Sequence, residues 1–333
     1  MNTFGRLFRI SILGESHGKC VGVLIDGCPA GLRLSVDEFA ADLERRKSGR
    51  RGTTARREED IPSIVTGILD GRTTGAPVLI LIENKDTNPE AYHSIRLTPR
   101  PGHADFVAFQ KFGGLNDYRG GGMFSGRLTA PMVAAGVVAK KLLHPVSFEA
   151  RLLEAGGSKE IESVIEKAIR TQDSIGGVVE CRASGLPVGL GEPFFDSVES
   201  LLSHLIFSIP GIKAIEFGAG FASSRMRGSE QNDEIISATG ETRTNNAGGI
   251  NGGITNGNEL VLRVAVKPTA SISKVQNTMD MVTGEQRELS VGGRHDTCIA
   301  LRVPVIVEAA CAIVIADLML VEQKMGKQYK GYK

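Results

Sequence analysis

The sequence predicts a single α+β domain. Helical and strand patterns are interspersed along the 333 residues without a regular βαβ rhythm, no low-complexity linker divides the chain, and no internal repeat is visible. With 41% hydrophobic and 23% charged residues, the chain resembles an ordinary globular protein that buries a substantial core. We therefore treat residues 1–333 as one domain, with a flexible tail expected from about residue 323.

Periodic patterns predict the individual elements. Strands are expected at residues 21–25, 78–82, 177–182, 212–217 and 259–266. A first helix should begin after Ser35, because Ser35 and Glu38 have the spacing of a capping box, and it should end near Arg46. Further helices are expected at residues 131–143, 159–171 and 197–209.

The most apolar segment, residues 303–321, has the composition of a membrane span. It contains Pro304, Glu308 and Asp317 within the minimum length that a span requires. We therefore predict that this segment is a buried core helix.

Three further segments lack apolar periodicity and are predicted to be loops. They are residues 45–60 (RRKSGRRGTTARREED), 100–127 and 244–257 (TNNAGGINGGITNG). The first two are rich in arginine, and the last cannot bury enough side chain to pack by itself. Loops of this length usually have a function, and the backbone amides of the glycine run should serve turns or a ligand.

Charge and cysteine usage exclude several classes of protein. Lysine plus arginine total 39 against 38 acids, so a net charge of +1 provides no global attraction to nucleic acid or to a membrane. The five cysteines are scattered, with no CxxC pair and no histidine at zinc-ligand spacing. The N-terminus lacks the apolar core of a signal peptide. We expect a reduced, metal-free cytoplasmic protein.

Arginine and histidine indicate a site for a small polyanion. The basic loop at 45–57, the loop at 100–127 and the Arg294-His295-Asp296 triplet all offer bidentate donors. His17 and His103 lie among turn-forming residues and can titrate near neutral pH. The alternatives are that the basic loop is a solvated surface balanced by neighbouring acids, and that the histidines are turn residues.

Several common catalytic motifs are absent from the sequence. GESHG differs from the GxSxG nucleophile elbow, no Walker A sequence occurs, and GAGFAS lacks the third glycine of a dinucleotide fingerprint. The residues therefore indicate an enzyme for an anionic, phosphorylated substrate with histidine acid–base groups, without naming the reaction. A competing hypothesis is a nucleic-acid-binding protein that contacts phosphates through residues 45–57.

Ordered motifs across the chain resemble the chorismate synthase family. They are GESHG at 14–18, RPGHADFVAFQKFGGLNDYRGGG at 100–122, MRGSEQND at 226–233, the glycine run at 244–257, KPTAS at 267–271 and GRHDTC at 293–298. So many motifs over nearly the whole chain are far more specific than a single glycine pattern.

The resemblance implies a β–α–β sandwich, with helices packed between antiparallel sheets, that assembles as a homotetramer. It implies conversion of 5-enolpyruvylshikimate 3-phosphate to chorismate by a 1,4-anti elimination of phosphate, dependent on reduced FMN and without net redox change. FAD and NADP are further nucleotides that the resemblance associates with the family. NADPH, or a separate flavin reductase, would supply the reducing equivalents.

The resemblance also implies roles for individual residues. His17 would protonate the departing phosphate, His103 would stabilise the reduced flavin, and both roles require an imidazolium. Asp296 would act with flavin N5 on the ring proton, supported by Ser16 and Ser125. The implied substrate-binding residues are Arg46, Arg51, Arg100, Arg127 and Arg294, of which Arg46 and Arg51 would also bind NADP. The implied flavin-binding residues are Met123, Phe124, Ser125, Pro210, Gly211, Gly252, Lys267, Pro268, Thr269, Ala270, Ser271 and Arg294.

The sequence departs from the common family pattern at two positions. Met123 and Phe124 follow the triple glycine where an arginine and a serine are usual, so flavin contacts at these positions need separate support. Thr54 stands where some members have a further arginine, which predicts a substrate clamp with fewer guanidinium groups.

Overall fold

The fold was analysed in a computed structural model that describes residues 2–93, 95–292 and 295–329. The N-terminal part of the chain forms a five-stranded antiparallel sheet with the order β1-β2-β3-β7-β4. Its strands, and the separate β5–β6 hairpin, are β1 (Thr3–Phe4), β2 (Arg9–Gly14), β3 (Cys20–Asp26), β4 (Pro62–Ile64), β5 (Ile68–Leu69), β6 (Arg72–Thr73) and β7 (Val78–Glu83). The strands predicted at 21–25 and 78–82 are confirmed as β3 and β7.

The middle of the chain forms a second antiparallel sheet of four strands, with the order β10-β13-β9-β8. Its strands, and the hairpins β11–β12 and β14–β15, are β8 (Ser147–Ala155), β9 (Gly177–Ser184), β10 (Ile212–Phe217), β11 (Ile250–Asn251), β12 (Ile254–Thr255), β13 (Leu260–Val266), β14 (Gln276–Met279) and β15 (Gln286–Leu289). The strands predicted at 177–182, 212–217 and 259–266 are confirmed. Sequence reasoning missed β2 and β8; β8 is an edge strand with many exposed polar residues.

A layer of helices separates the two sheets. The α-helices of the described residues, not all of which belong to this layer, are α1 (Ala40–Arg46), α2 (Asp105–Phe112), α3 (Thr129–Leu143), α4 (Ile161–Arg170), α5 (Val198–Ile206), α6 (Gly228–Gln231) and α7 (Val303–Val321). Helix α3 contacts β3 and β7 of the first sheet, α7 contacts β8 and β9 of the second, and the two helices pack on each other. The expected sandwich of helices between antiparallel sheets is confirmed.

Helices α3 and α7 approach closely at one position. A Cβ atom added to Gly136 of α3 would lie 2.2 Å from the Cβ of Ala309 on α7. Only small residues allow this backbone separation, and the apolar side chains on both sides fill the remaining space.

Helix α7 is the buried core helix predicted for residues 303–321. The segment Ile299–Val321 is long and apolar enough to cross a membrane, but 94% of its most apolar 18-residue stretch is buried inside the protein. The carboxylate of Glu308 contacts Arg45 at 2.6 Å and Lys140 at 2.7 Å, and that of Asp317 accepts three backbone N–H bonds from residues 6–8. These partners satisfy the charges that argued against a membrane span.

The other predicted helices are confirmed with small shifts, but two of the predicted loops contain regular structure. The backbone N–H of Ser35 donates to the Glu38 carboxylate at 2.9 Å, and α1 ends at Arg46 as expected. Residues 100–127 contain the two-turn α2, whose side chains are mostly exposed, and residues 244–257 contain the β11–β12 hairpin. In the C-terminal tail, Tyr329 donates a 2.9 Å backbone bond to Ala30.

Candidate active site

A cleft of about 480 Å³ opens where the loops flanking both sheets meet. It brings together residues that are far apart in sequence: the turn after β2, the end of α1 with the following loop, residues 100–104 and 120–127, the turn after α5, residues 267–271 and residues 295–302. Most of these segments belong to motifs that the sequence analysis singled out. Loops held by a rigid scaffold in this way are typical of a catalytic or binding site.

The walls of the cleft are strongly basic. Among the described residues, eight cationic side chains line it against two carboxylates, those of Glu58 and Asp296. The cations are Arg46, Lys47, Arg56, Arg100, Arg127, Lys213, Lys267 and Arg302. A chain whose net charge is only +1 therefore concentrates positive charge at one site, which favours a polyanionic ligand.

A buried carboxylate holds two of these arginines. Asp60 Oδ2 accepts a 2.6 Å hydrogen bond from Arg46 Nη2, and Oδ1 accepts one from Arg127 Nη1. Burial alone would raise the pKa of Asp60, but the charges of Arg46 and Arg127 outweigh it and hold the pKa below its usual value. Asp60 therefore stays ionised and fixes both guanidinium groups.

Arg46 has donors that no protein group satisfies. Its side chain is 3% exposed, and within the described residues its buried Nε and Nη1 atoms have no hydrogen-bond partner. Burial lowers its pKa to about 10, so the group remains charged at neutral pH. Buried donors without partners are costly, and an anionic ligand would satisfy them.

His103 belongs to a second buried cluster. Its Nδ1 lies 2.6 Å from Asp105 Oδ1, and Arg100 Nε lies 2.7 Å from the other oxygen of the same carboxylate. Burial would raise the pKa of Asp105, but hydrogen bonds from Arg100 and His103 hold it far below its usual value. The ionised carboxylate makes Nδ1 the donor, which leaves Nε2 for a ligand. Arg100 Nη1 also donates to Ser271 Oγ at 3.0 Å.

Ser16 is the centre of a third cluster. Its Oγ accepts from Arg56 Nη1 at 3.0 Å and from Ser125 Oγ at 3.2 Å, and lies 3.3 Å from His17 Nδ1. Because two donors already reach this oxygen, its own hydrogen can be donated to Nδ1 when His17 is neutral, and the ring proton then lies on Nε2. The ring of His17 is buried and contacts the ring of Tyr92 edge-on. Ser16 and Tyr92 line the cleft, whereas His17 is not among the described residues that line it.

Asp296 lines the cleft and is held in place by two donors. It accepts a 3.0 Å bond from the backbone N–H of Thr54 and a 3.1 Å bond from Arg302 Nη1. The neighbouring His295 also lines the cleft, and burial lowers its pKa. Arg294, expected to bind substrate and flavin, lies outside the described residues.

Of the residues expected to bind flavin, all that the structure describes line the cleft except Gly252. They are Met123, Phe124, Ser125, Pro210, Gly211, Lys267 and residues 268–271. Burial and the nearby charge of Lys213 lower the pKa of Lys267. Within the described residues, the buried Oγ1 of Thr269 has no hydrogen-bond partner. Two neighbouring lysines and a free hydroxyl suit a phosphorylated, partly aromatic group such as FMN.

Two of the expected site residues lie elsewhere in this single chain. The guanidinium of Arg51 binds Glu166 on α4, and its side chain is 71% exposed. Gly252 occupies the turn of the β11–β12 hairpin, with no atom within 4 Å of an added Cβ. The structure therefore does not bring these residues to the cleft.

Sequence reasoning missed several residues of the site. Asp60 and Asp105 appeared only as acids next to basic runs, although each orders a pair of cleft side chains. Arg56 and Arg302 were not selected, yet they hold Ser16 and Asp296. For Asp105 the available signal was its position two residues after His103, whereas Asp60 lies 14 residues from Arg46 and 67 from Arg127, so that spacing gave no signal.

Comparisons with known proteins agree with the motifs. The sequence profile described as chorismate synthase matches residues 8–320. The chain is 59% identical over 332 residues to the chorismate synthase of Chitinophaga pinensis, covering 99% of this chain and 100% of that protein. It is 47% identical over 351 residues to the chorismate synthase of a Dehalococcoides mccartyi strain, covering 96% of each.

A solved structure shows the same architecture. The crystal structure of a chorismate synthase superposes with a TM-score of 0.76 at 26% identity, covering 98% of this chain and 95% of that one. The sequence matches and the structural superposition thus both extend over nearly the full length of the chain. The basic side chains that line the cleft are those of an anion-binding site. The chain belongs to the chorismate synthase family, whose members are lyases of aromatic amino acid biosynthesis.

Proposed function

We propose that this protein eliminates phosphate from 5-enolpyruvylshikimate 3-phosphate by a 1,4-anti elimination that requires reduced FMN and yields chorismate. The observation that carries the proposal is Arg46, a buried guanidinium in a basic cleft whose Nε and Nη1 have no partner among the described residues. Together with Arg100 and Arg127, it can bind the phosphate and carboxylates of the substrate.

The two histidines have distinct surroundings that fit distinct roles. As an imidazolium, His17 would protonate the departing phosphate from Nε2 and return to the neutral form, whose Nδ1 accepts from Ser16. As an imidazolium held by Asp105 through Nδ1, His103 would present Nε2 to the flavin as a donor. Asp296, fixed by Thr54 and Arg302, would act together with flavin N5 to remove the ring proton.

Reduced FMN, when bound, would supply electron density to the substrate and recover it within the turnover, so that no net redox change results. Residues 123–125, 210–211 and 267–271 would hold it, with Lys267 as the partner of its negative charge. Arg294 and Gly252 remain further proposed flavin contacts. The role of His103 is to stabilise charge on the bound group.

The source of electrons and the assembly are further parts of the proposal. NADPH, bound by Arg46 and Arg51, or a separate flavin reductase would keep the flavin reduced. We propose a cytoplasmic homotetramer of single-domain subunits, acting without nucleic acid or membrane. Two arginines of the basic loop support the proposal that the protein acts without nucleic acid, because Arg46 is buried and Arg56 pairs with Glu58 at 2.6 Å.

An anaerobic assay with 5-enolpyruvylshikimate 3-phosphate and chemically reduced FMN tests the proposal. Chorismate and phosphate should appear in equal amounts, and neither should appear without reduced flavin. His17→Ala and His103→Ala should each lower turnover strongly in folded protein. If folded wild-type protein forms no chorismate, the proposal fails, and salt-sensitive binding of nucleic acid by residues 45–57 becomes the hypothesis to measure.

A further inference from the structure

A single amide side chain, that of Asn84, connects two parts of the proposed active site. Asn84 directly follows β7, and its backbone N–H donates to the carbonyl oxygen of Lys19 at 3.1 Å, next to the pairing of β7 with β3. Asn84 is partly buried and is not among the described residues that line the cleft. Any influence of its side chain on the reaction must therefore act through the groups that it holds.

The first of these groups is the turn that carries Ser16 and His17. Nδ2 of Asn84 donates to the carbonyl oxygen of Glu15 at 2.9 Å and to that of Gly18 at 2.8 Å. The N–H of Gly18 also donates to the Glu15 carbonyl at 3.1 Å, so backbone and side chain together close the turn at its two ends. Both hydrogens of the amide are used on this turn. Asn84 thereby fixes the backbone from which Ser16 and His17 project.

The second group is Arg127, which lines the cleft and whose side chain is 3% exposed. Its Nε donates to Oδ1 of Asn84 at 2.8 Å. Its Nη1 binds Asp60, and its Nη2 donates to the carbonyl oxygen of Glu83 at 3.0 Å. Each terminal nitrogen of a guanidinium has two N–H groups. Beyond these bonds within the described residues, Nη1 and Nη2 thus each keep a donor that a phosphate or carboxylate can accept.

Asparagine suits both contacts because its amide presents donors and an acceptor on one planar group. The carbonyl oxygens of the turn can only accept and the guanidinium can only donate, so one orientation of the amide satisfies all of these bonds. An aspartate of the same size would keep an acceptor for Arg127 but would place a carboxylate oxygen against two carbonyl oxygens. Substitution can therefore separate the contact with the turn from the contact with Arg127.

We propose that Asn84 is a positioning residue that holds the proton donor His17 in a fixed place relative to Arg127, which binds an anionic group of the substrate. The inference rests on the proposed function. Because one amide bonds both the turn and the guanidinium, a substrate held by Arg127 meets His17 at a set separation. A small displacement of the acid from the leaving group lowers the rate of the chemical step.

Asn84→Asp tests the contact with the turn, and anaerobic steady-state kinetics with chemically reduced FMN measure its effect. The variant loses both donors to the turn and keeps an acceptor for Arg127. The value of kcat should fall roughly tenfold, whereas KM for the substrate should change by less than about threefold. A wild-type kcat in folded Asn84→Asp would overturn the inference.

Asn84→Ala loses the contacts with both the turn and Arg127. Its kcat should fall as in Asn84→Asp, and its KM should also rise by roughly tenfold. If Asn84→Asp does not fold, kcat of Asn84→Ala decides, and a wild-type value there overturns the inference. Asn258→Asp is the matched control, because Nδ2 of Asn258 likewise donates to a backbone carbonyl, that of Gly240 at 3.0 Å, at a position that does not line the cleft. It should leave kcat and KM unchanged.

A double-mutant comparison separates positioning of His17 from general damage to the fold. In chains that carry His17→Ala, Asn84→Asp should lower the remaining kcat by less than about twofold, because the group that it positions is gone. A further loss of about tenfold in that background would show that Asn84 acts independently of His17, and it would overturn the inference.

Hydrogen–deuterium exchange separates the inference from the proposed function. The backbone amides of residues 15–18 should exchange at least roughly tenfold faster in Asn84→Asp than in wild type, and at the wild-type rate in Asn258→Asp. Unchanged exchange in Asn84→Asp would overturn the inference whether or not the protein forms chorismate. If exchange rises but the wild-type protein forms no chorismate, the proposed function is wrong, and the role of Asn84 in the reaction falls with it.

Discussion

Asp60 accepts a 2.6 Å hydrogen bond from Nη2 of Arg46, inside a wall where both side chains are almost fully buried. The carboxylate also binds Arg127, so one acid orients two of the guanidinium groups proposed to bind substrate. Asp60 adopts a positive φ of 51°, a conformation that only strong local interactions retain in a residue other than glycine.

Asp60→Asn should weaken both substrate binding and stability. Removing this charge leaves two buried guanidinium groups poorly paired, which should cost about 3 to 5 kcal/mol in unfolding free energy. KM for the substrate should rise, because Arg46 and Arg127 lose their common anchor. Urea unfolding and anaerobic steady-state kinetics measure the two effects. Glu166→Gln, which breaks the exposed pair with Arg51, is the control and should change stability little.

The same carboxylate predicts how stability depends on pH. The pKa of Asp60 is lower in the folded chain than in the unfolded chain, where it is about 4. Ionised Asp60 therefore contributes fully to the free energy of unfolding above the unfolded pKa, and this contribution is lost as pH falls through the folded pKa. Urea titrations between pH 3 and about 7 should show a smaller loss of stability towards acid in Asp60→Asn than in wild type. Identical slopes in both proteins would show that Asp60 is not held in its ionised form.

Gly120→Ala should displace His17. The added Cβ would lie 2.3 Å from the imidazole and 2.6 Å from Ser16 Oγ, so the cluster that orients the ring must shift. Turnover should fall roughly tenfold or more in a chain that still folds. Gly113→Ala is the matched control, since Gly113 has nearly the same φ but no neighbour within 4 Å, and it should show only the backbone cost of about 1 to 2 kcal/mol. Equal turnover in the two variants would contradict the proposed role of His17.

Asp105→Asn should lower turnover without unfolding the site. The neutral amide forms a weaker hydrogen bond with Nδ1–H of His103 than the carboxylate does, and Arg100 loses its charged partner. We expect kcat to fall by at least roughly tenfold in anaerobic assays. Lys111→Ala, at an exposed position of the same helix, should leave kcat unchanged. A normal kcat in Asp105→Asn would remove His103 from the mechanism.

Gly136→Ala tests the close packing of α3 on α7. A methyl group at this position would meet Ala309 at 2.2 Å, so the helices must separate or bend, at a cost of about 1 to 3 kcal/mol. Urea unfolding measures the loss. Gly228→Ala, which meets no atom within 4 Å, should change stability far less, and similar values for the two variants would contradict this packing.

Most helices and the central strands could be predicted from the sequence, because their signals are local. Helix α7 is apolar except for two acids that need partners, and β3 and β7 are rich in branched apolar residues. Strand β8 was missed because exposed polar residues obscure its alternation. Helix α2 was missed because Phe106, Val107 and Phe112 are exposed and do not form a buried apolar stripe. The ordered motifs were specific enough to indicate the family and the segments that form the cleft.

Only the tertiary structure decided which residues of one motif reach the cleft and which lie at the surface. Arg46 and Arg51 belong to the same basic run, and the sequence offers no local reason to separate them. Arg46 ends a helix packed on the core, so its side chain enters the cleft and meets Asp60, whereas Arg51 follows a glycine turn and reaches Glu166 at the surface. The sequence by itself determined the local elements and the family. The direction of each charged side chain depended on partners brought close by folding, which sequence spacing does not contain.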